Sequence, residues 1–269
     1  MSYLFSFFLV IDLLLIGSMS HAQQKMLHEA PGATKPVLSV IPSSIRLTSG
    51  KTITLRFRLL HRNNQPITMK ELKEVHTKKI HLLIIDPSLS DYHHIHPVED
   101  NITHEFVFKF TPKYKGAYRI WADITPITTG EQQFIITDIG VSSKKKISIN
   151  NAMNLKSIIG PYTFILKLND VPRAGQEIMA TMTVRKNGKP FNQLEPVMGA
   201  FAHVVGFSTD YASVIHIHPM GKEPSHPSDR GGSELALHMK LKKAGFIKLF
   251  AQIRVEGKDI YVPFGIIVK

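Results

Sequence analysis

There is no cysteine among the 269 residues. Its absence excludes disulfides, iron–sulfur clusters, thiolate catalysis and the His/Cys copper site of electron-transfer proteins. Lipid attachment through an N-terminal cysteine is excluded as well. Tryptophan occurs once, as Trp121. The chain has no glycine-rich phosphate loop, no Gly-x-Ser-x-Gly elbow and no His-Glu-x-x-His helix, so three common catalytic frameworks are missing. Clustered charge is scarce too. The formal net charge is +12, yet Lys144, Lys145 and Lys146 form the one run of like charge. Such strewn charge reads as a solvated basic surface drawn to anionic envelope polymers, with no nucleic acid as partner.

The longest mostly apolar stretch lies at the start, from Tyr3 to Gly17, and Ser20, His21 and Ala22 follow it with small residues at the positions a signal peptidase reads. Residues 1–22 are therefore expected to be a signal peptide, and the mature chain, residues 23–269, a periplasmic or secreted protein. Losing Asp12 with that leader takes the net charge from +12 to +13. Residues 23–36 read as a flexible leader, and what remains suffices for two domains, each with its own core.

From Val37 the pattern has period two. Ile53, Leu55 and Phe57 alternate with Thr54 and Arg56, as do Phe106, Phe108 and Phe110 with their neighbours, which predicts strands with one apolar face. His81 to Ile85 is apolar on both faces, as a central sandwich strand should be. Thr68–Lys79 is the one candidate helix. Residues 143–158 are polar and without period, and read as a linker between domains at 37–142 and 159–269. The second unit repeats the order of the first, with Asn187-Gly188 as a hairpin signal and Gly245 standing where Gly116 stands. About seven short strands per hundred residues predict an all-β chain of two tandem immunoglobulin-like sandwiches, with cupredoxin-like Greek-key barrels as the rival.

Two segments carry the chemistry. Residues 81–97 read HLLIIDPSLSDYHHIHP and residues 203–219 read HVVGFSTDYASVIHIHP. In both, a histidine is followed, after twelve intervening residues, by His-Ile-His-Pro, so His81, His94 and His96 recur as His203, His216 and His218, each 122 positions on. Residues two apart on a strand share a face, so His94 and His96 can converge on one ion, as can His216 and His218. His81 and His203 would supply a third ring from a neighbouring strand. The expected metal ligands are thus His81, His94 and His96 in one domain and His203, His216 and His218 in the other. His93, His76 and Met198 are candidate fourth ligands; His76 and Met198 are also 122 positions apart. Against this stands the plainer reading, that a histidine at a strand end bonds a main-chain carbonyl and His-x-His-Pro is a structural corner. Asp91-Tyr92 reads as turn chemistry, and His226 as a solvent-exposed loop residue, while His238 sits in a strand whose pattern leaves its face open.

The segments KKIHLLIIDPSLSDYHHIHP and AHVVGFSTDYASVIHIHP, with GAYRIWADI and AGFIKLFAQIRVEGKDIYVPFGIIV after them, resemble the YtkA-like and copper-resistance-protein-C-like group of exported bacterial β-sandwiches. The resemblance implies an immunoglobulin-like fold and the handling of copper or another heavy metal outside the cytoplasm. A terminal histidine ligand is not carried over, because His28 is not at the mature end. Thiolate-free imidazole sites suit Cu(II) or Zn(II), copper first in oxidising surroundings. The expected function is non-enzymatic metal binding. The alternative is an envelope interaction module with structural histidines, whose partner is an envelope protein. A hydrolase using metal-bound water is a third class, disfavoured because no Asp or Glu sits beside the histidines in both copies.

Overall fold

The computed structural model describes residues 37–41, 45–61, 63–141, 147–217 and 219–269. The segments read as signal peptide and leader, Ser142 with residues 143–146 of the linker, and His218 lie outside the described residues. Among the described residues the protein is all-β, with one short 3-10 turn at Met69–Glu71.

The first sandwich contains β1 (Val37–Ile41), β2 (Ile53–Leu60), β3 (Ile80–Ile85), β4 (Tyr92–Ile95), β5 (Val98–Asp100), β6 (Glu105–Phe110), β7 (Tyr118–Ile124) and β8 (Gln133–Ile139). One sheet has the order β1-β2-β6-β5 and the other β4-β3-β7-β8. With strands lettered along the chain these are sheets ABED and C′CFG, the immunoglobulin arrangement. Both sheets are open, which separates the fold from a closed barrel. Tyr118 opens the F strand, β7. Its hydroxyl donates to Asp91 Oδ2 at 2.6 Å and accepts from the Tyr114 amide at 3.0 Å, a variant of the tyrosine corner of such sandwiches.

The second sandwich contains β9 (Lys156–Ile159), β10 (Tyr162–Leu168), β11 (Glu177–Lys186), β12 (Lys189–Pro190), β13 (His203–Ser208), β14 (Val214–Ile217), β15 (Pro219–Met220), β16 (Glu234–Lys240), β17 (Gly245–Val255) and β18 (Lys258–Val268). Its sheets run β15-β16-β11-β10-β9 and β14-β13-β17-β18, with β12 paired to β11. Strand β9 starts at Lys156, inside the stretch read as linker. Gly116 and Gly245 hold the same unusual backbone, with φ of 119° and 123°, so the match between them reflects a shared turn.

The candidate helix at Thr68–Lys79 is not one. Met69–Glu71 makes a single 3-10 turn, after which Glu71 Oε2 accepts from the Thr68 amide at 2.8 Å and the chain turns back at Val75–Lys78. There the amides and carbonyls of Val75 and Lys78 bond each other reciprocally, with His76 at φ 51° and Thr77 at φ 67°. Positive φ at both central residues is a type I′ hairpin turn, which a helix cannot contain.

Each sandwich has its own core, and a third cluster lies between them. It is made of Leu83, Ile85, Leu89, Tyr92 and Trp121 from the first sandwich with Val205, Phe207 and Phe250 from the second. Alternation along β3 explains it: Leu82 and Ile84 enter the first core, while Leu83 and Ile85 face out. Strand β3 is apolar on both faces because its second face is covered by the other domain. The two C′CFG sheets therefore meet, and Trp121 packs on Phe207 with ring centres 5.4 Å apart.

Candidate metal centre

Strand parity places the histidines. His81 shares its face with Leu83 and Ile85, and His94 shares its face with Tyr92. His203 lies on the face of Val205 and Phe207. In every case that is the interdomain face, so the described members of both histidine sets gather at one end of the domain interface. The two sets, read from the sequence as one site in each domain, are neighbours. Ring centres are 6.2 Å apart for His81 and His216 and 6.3 Å for His94 and His203.

The first set closes tightly. One nitrogen from each of His81, His94 and His96 lies within 4.8 Å of those of the other two. His81 Nδ1 is 3.0 Å from His94 Nε2 and 3.2 Å from His96 Nε2. For His81 and His94 the far side of the ring fixes which nitrogen carries hydrogen. Nε2–H of His81 donates to the Val75 carbonyl at 2.9 Å, which leaves Nδ1 with a lone pair. Nδ1 of His94 is 2.9 Å from Gln252 Oε1. The Gln252 amide is itself oriented, because its Nε2 donates to Asp259 Oδ2 at 3.1 Å and Arg254 forks onto Asp259 at 2.6 and 3.0 Å. Gln252 thus turns its oxygen to His94, whose Nδ1–H donates to it, and His94 Nε2 is left basic. Two basic nitrogens 3.0 Å apart repel unless a proton or a cation lies between them. Outer hydrogen bonds that fix tautomers and aim lone pairs inward are what metal-ligating histidines have.

The second set repeats this as far as it is described. His203 Nε2–H donates to the Met198 carbonyl at 3.1 Å, and His203 Nδ1 faces His216 Nε2 at 3.3 Å. Nδ1 of His216 is 3.3 Å from Oδ2 of Asp123, a buried carboxylate also gripped by Gln132 Nε2 at 2.7 and 2.9 Å. His218, the third expected member, lies outside the described residues.

The outer partners cross between domains. Gln252 belongs to the second sandwich and holds His94 of the first, while Asp123 belongs to the first and holds His216 of the second. They occupy equivalent places, Asp123 opposite His81 in register and Gln252 opposite His203. Sequence reasoning missed both. The 122-residue offset of the histidines does not relate them, but each stands seven residues after a matched glycine, Gly116 or Gly245, and counting from those glycines finds them.

Burial keeps the rings of His76, His81, His94, His96 and His203 neutral. It lowers the His81 pKa and holds that of His94 far below the ordinary value, with neighbouring rings adding to the effect on His94. Burial first, and neighbouring imidazoles second, bring His96 and His76 down to about 4 and His203 to about 3. Neutral imidazoles have free lone pairs at pH 7, as metal coordination needs.

Of the fourth-ligand candidates, His93 points away, its Nε2 2.9 Å from Asp91 Oδ1 and its ring against Phe110. His76 enters the gathering, with its ring centre 5.3 Å from that of His203. Met198 contributes its carbonyl to His203, and it occupies the same turn position as His76, at the same φ of 51°. His226 is exposed and bonds Ser228 at 2.6 Å, while His238 meets Glu177 at 3.2 Å.

The profile of the family described as Domain of unknown function (DUF8832) matches residues 38–141 and again residues 156–269. No curated protein matches. Among solved structures, the chain is similar to the D00-D0 domain of Intimin, with 14% identity and a TM-score of 0.22 over 86% of this chain and 100% of that one. It is similar also to domains 5-6 of the S-layer protein SbsC, with 9% identity and a TM-score of 0.23 over 87% of this chain and 100% of that one. Likenesses this loose carry no functional argument.

Proposed function

This chain belongs to the DUF8832 family, whose domain it carries twice, and we propose that it is an exported metal-binding protein without catalysis of its own. Its primary site is the trio His81, His94 and His96. His203 and His216, with His218 from the sequence repeat, make the second set. The observation that carries the reading is the closeness of the three first-set nitrogens, within 4.8 Å, with the other nitrogens of His81 and His94 already bonded elsewhere. A merely structural histidine bonded to a carbonyl has no need to aim its second nitrogen at two others.

Three neutral imidazoles without thiolate suit Cu(II) or Zn(II). Copper is the first choice in a periplasmic or secreted setting, in keeping with the resemblance to copper-resistance-protein-C-like sandwiches. The ion supplies Lewis acidity wherever it binds, and the protein's part is to bury it and fix the rings. The basic surface would favour anionic envelope polymers as neighbours. No helix of the described residues is long and apolar enough to cross a membrane.

The test is calorimetric titration of the mature protein with Cu(II), with His96→Ala plus His218→Ala as control. Strong binding that the double substitution abolishes supports the reading. Equal binding by both proteins removes the assigned sites and leaves the plainer alternative of an envelope interaction module.

A further inference from the structure

His76 lies outside the repeated His…His-x-His pattern, yet its ring sits among the histidines of the opposite domain. Its centre is 5.3 Å from that of His203 and 5.7 Å from that of His216, and those two are 5.5 Å apart. Three imidazoles on one tetrahedral ion, each bonded at about 2.0–2.1 Å, set their ring centres about 5 Å apart. The first trio shows that spacing, with centres 5.2, 4.9 and 4.9 Å apart, and the His76 group, at 5.3 to 5.7 Å, is somewhat wider. The step from His76 to His81 is longer, at 6.3 Å, so His76 belongs with the second sandwich's pair more than with its own.

The turn that carries His76 bears marks of a held position. Thr77, β-branched, sits at φ 67°, a conformation that costs free energy and persists where the surroundings demand it. The equivalent turn has Gly199 there, at φ 78°. The two turns touch: Thr77 Cγ2 is 3.8 Å from where a Cβ on Gly199 would stand. The contact seats the tip of the first sandwich's turn, and with it His76, over the second sandwich's histidines. Asp123, also of the first sandwich, backs His216 from the other side. A carboxylate bonded to a histidine's outer nitrogen orients it as a ligand and raises its basicity.

We propose that His76 of the first sandwich joins His203 and His216 of the second as a ligand of a second divalent metal ion, so that the centre holds two ions and one of its sites is built from both domains. This rests on the metal-binding reading above and extends it to a number of ions and to a ligand outside the repeat.

The experiment is titration of chelator-stripped full-length protein with Cu(II), followed by calorimetry and by electron paramagnetic resonance. The wild type should take up two ions per chain, the second broadening the signal of the first through magnetic coupling. His76→Asn is the variant of choice, because asparagine tolerates the left-handed backbone that His76 adopts. It should weaken one step by at least 10-fold, abolish the coupling and leave the other step unchanged, whereas His96→Ala should strike the step that His76→Asn spares. Uptake of a single ion, two ions without magnetic coupling, or two steps indifferent to His76→Asn would overturn the proposal with the first trio still standing. No tight binding by the wild type would overturn the metal-binding reading itself. Because the wild-type stoichiometry and coupling decide between one ion and two, the test survives a variant that fails to fold.

Discussion

At the scale of the residue, the spacing of His81, His94 and His96 was legible because strand geometry converts a gap of two into a shared face. What could not be read was what stands behind each ring. Asp123 and Gln252 are polar residues within apolar strands, and only the pairing of β7 with β3 and of β17 with β13 brings them opposite His81 and His203. Their role makes a sharp prediction. Gln252→Leu removes the acceptor of the His94 Nδ1–H without touching a ligand, so metal affinity should fall by about 10–100-fold, the usual effect of losing an outer-shell partner. Calorimetry against wild type reads this directly, and unchanged affinity would show that Gln252 orients nothing. His93 is the converse lesson. It neighbours His94 in sequence, but the alternation of β4 turns it to the opposite face, onto Phe110.

At the scale of the element, period-two patterns located most strands well. Phe106, Phe108 and Phe110 are all buried in β6, and Ile178, Ala180, Met182 and Val184 in β11. The failure at Thr68–Lys79 has a physical cause. Charged residues at near-helical spacing resemble a short helix, while the turn at His76-Thr77 uses residues that rarely take positive φ, so nothing in its composition announces it. Asp91 shows how an element boundary is fixed. It is buried, and it accepts from the Tyr118 hydroxyl at 2.6 Å and the Lys113 amide at 2.7 Å, tying the start of β7 to the loop before β4. Tyr118→Phe leaves that buried carboxylate short of a donor and should cost about 1–3 kcal/mol, measured by denaturant unfolding. A loss below about 0.5 kcal/mol, within the range of an ordinary surface change, would mean that the corner does not bear on stability.

At the scale of the whole molecule, two similar domains were legible from the repeated segment, but their mutual packing was not. A strand apolar on both faces fits a core strand in one sandwich as well as a strand shared between two. Only the structure shows that Leu83, Ile85 and Trp121 meet Val205, Phe207 and Phe250, and that the histidines of both copies therefore converge. The buried imidazoles also set a pH dependence. His76, His96 and His203 have folded-state pKa values lowered to about 4, 4 and 3, so they are neutral when folded, and on unfolding below about pH 6.5 each takes up a proton. The metal-free protein should lose stability steadily as pH falls from about 6.5 to about 3–4, with no contribution from these groups above that window. Thermal unfolding from pH 8 to 4 reads this, and a midpoint flat across the interval would contradict the burial of these rings. The central claim is that imidazoles from two adjacent strands share one ion. X-ray absorption of the protein loaded with one equivalent of Zn(II) tests it most directly. Three imidazole nitrogens at about 2.0–2.1 Å are predicted, and a shell of oxygens with at most one imidazole would contradict the account.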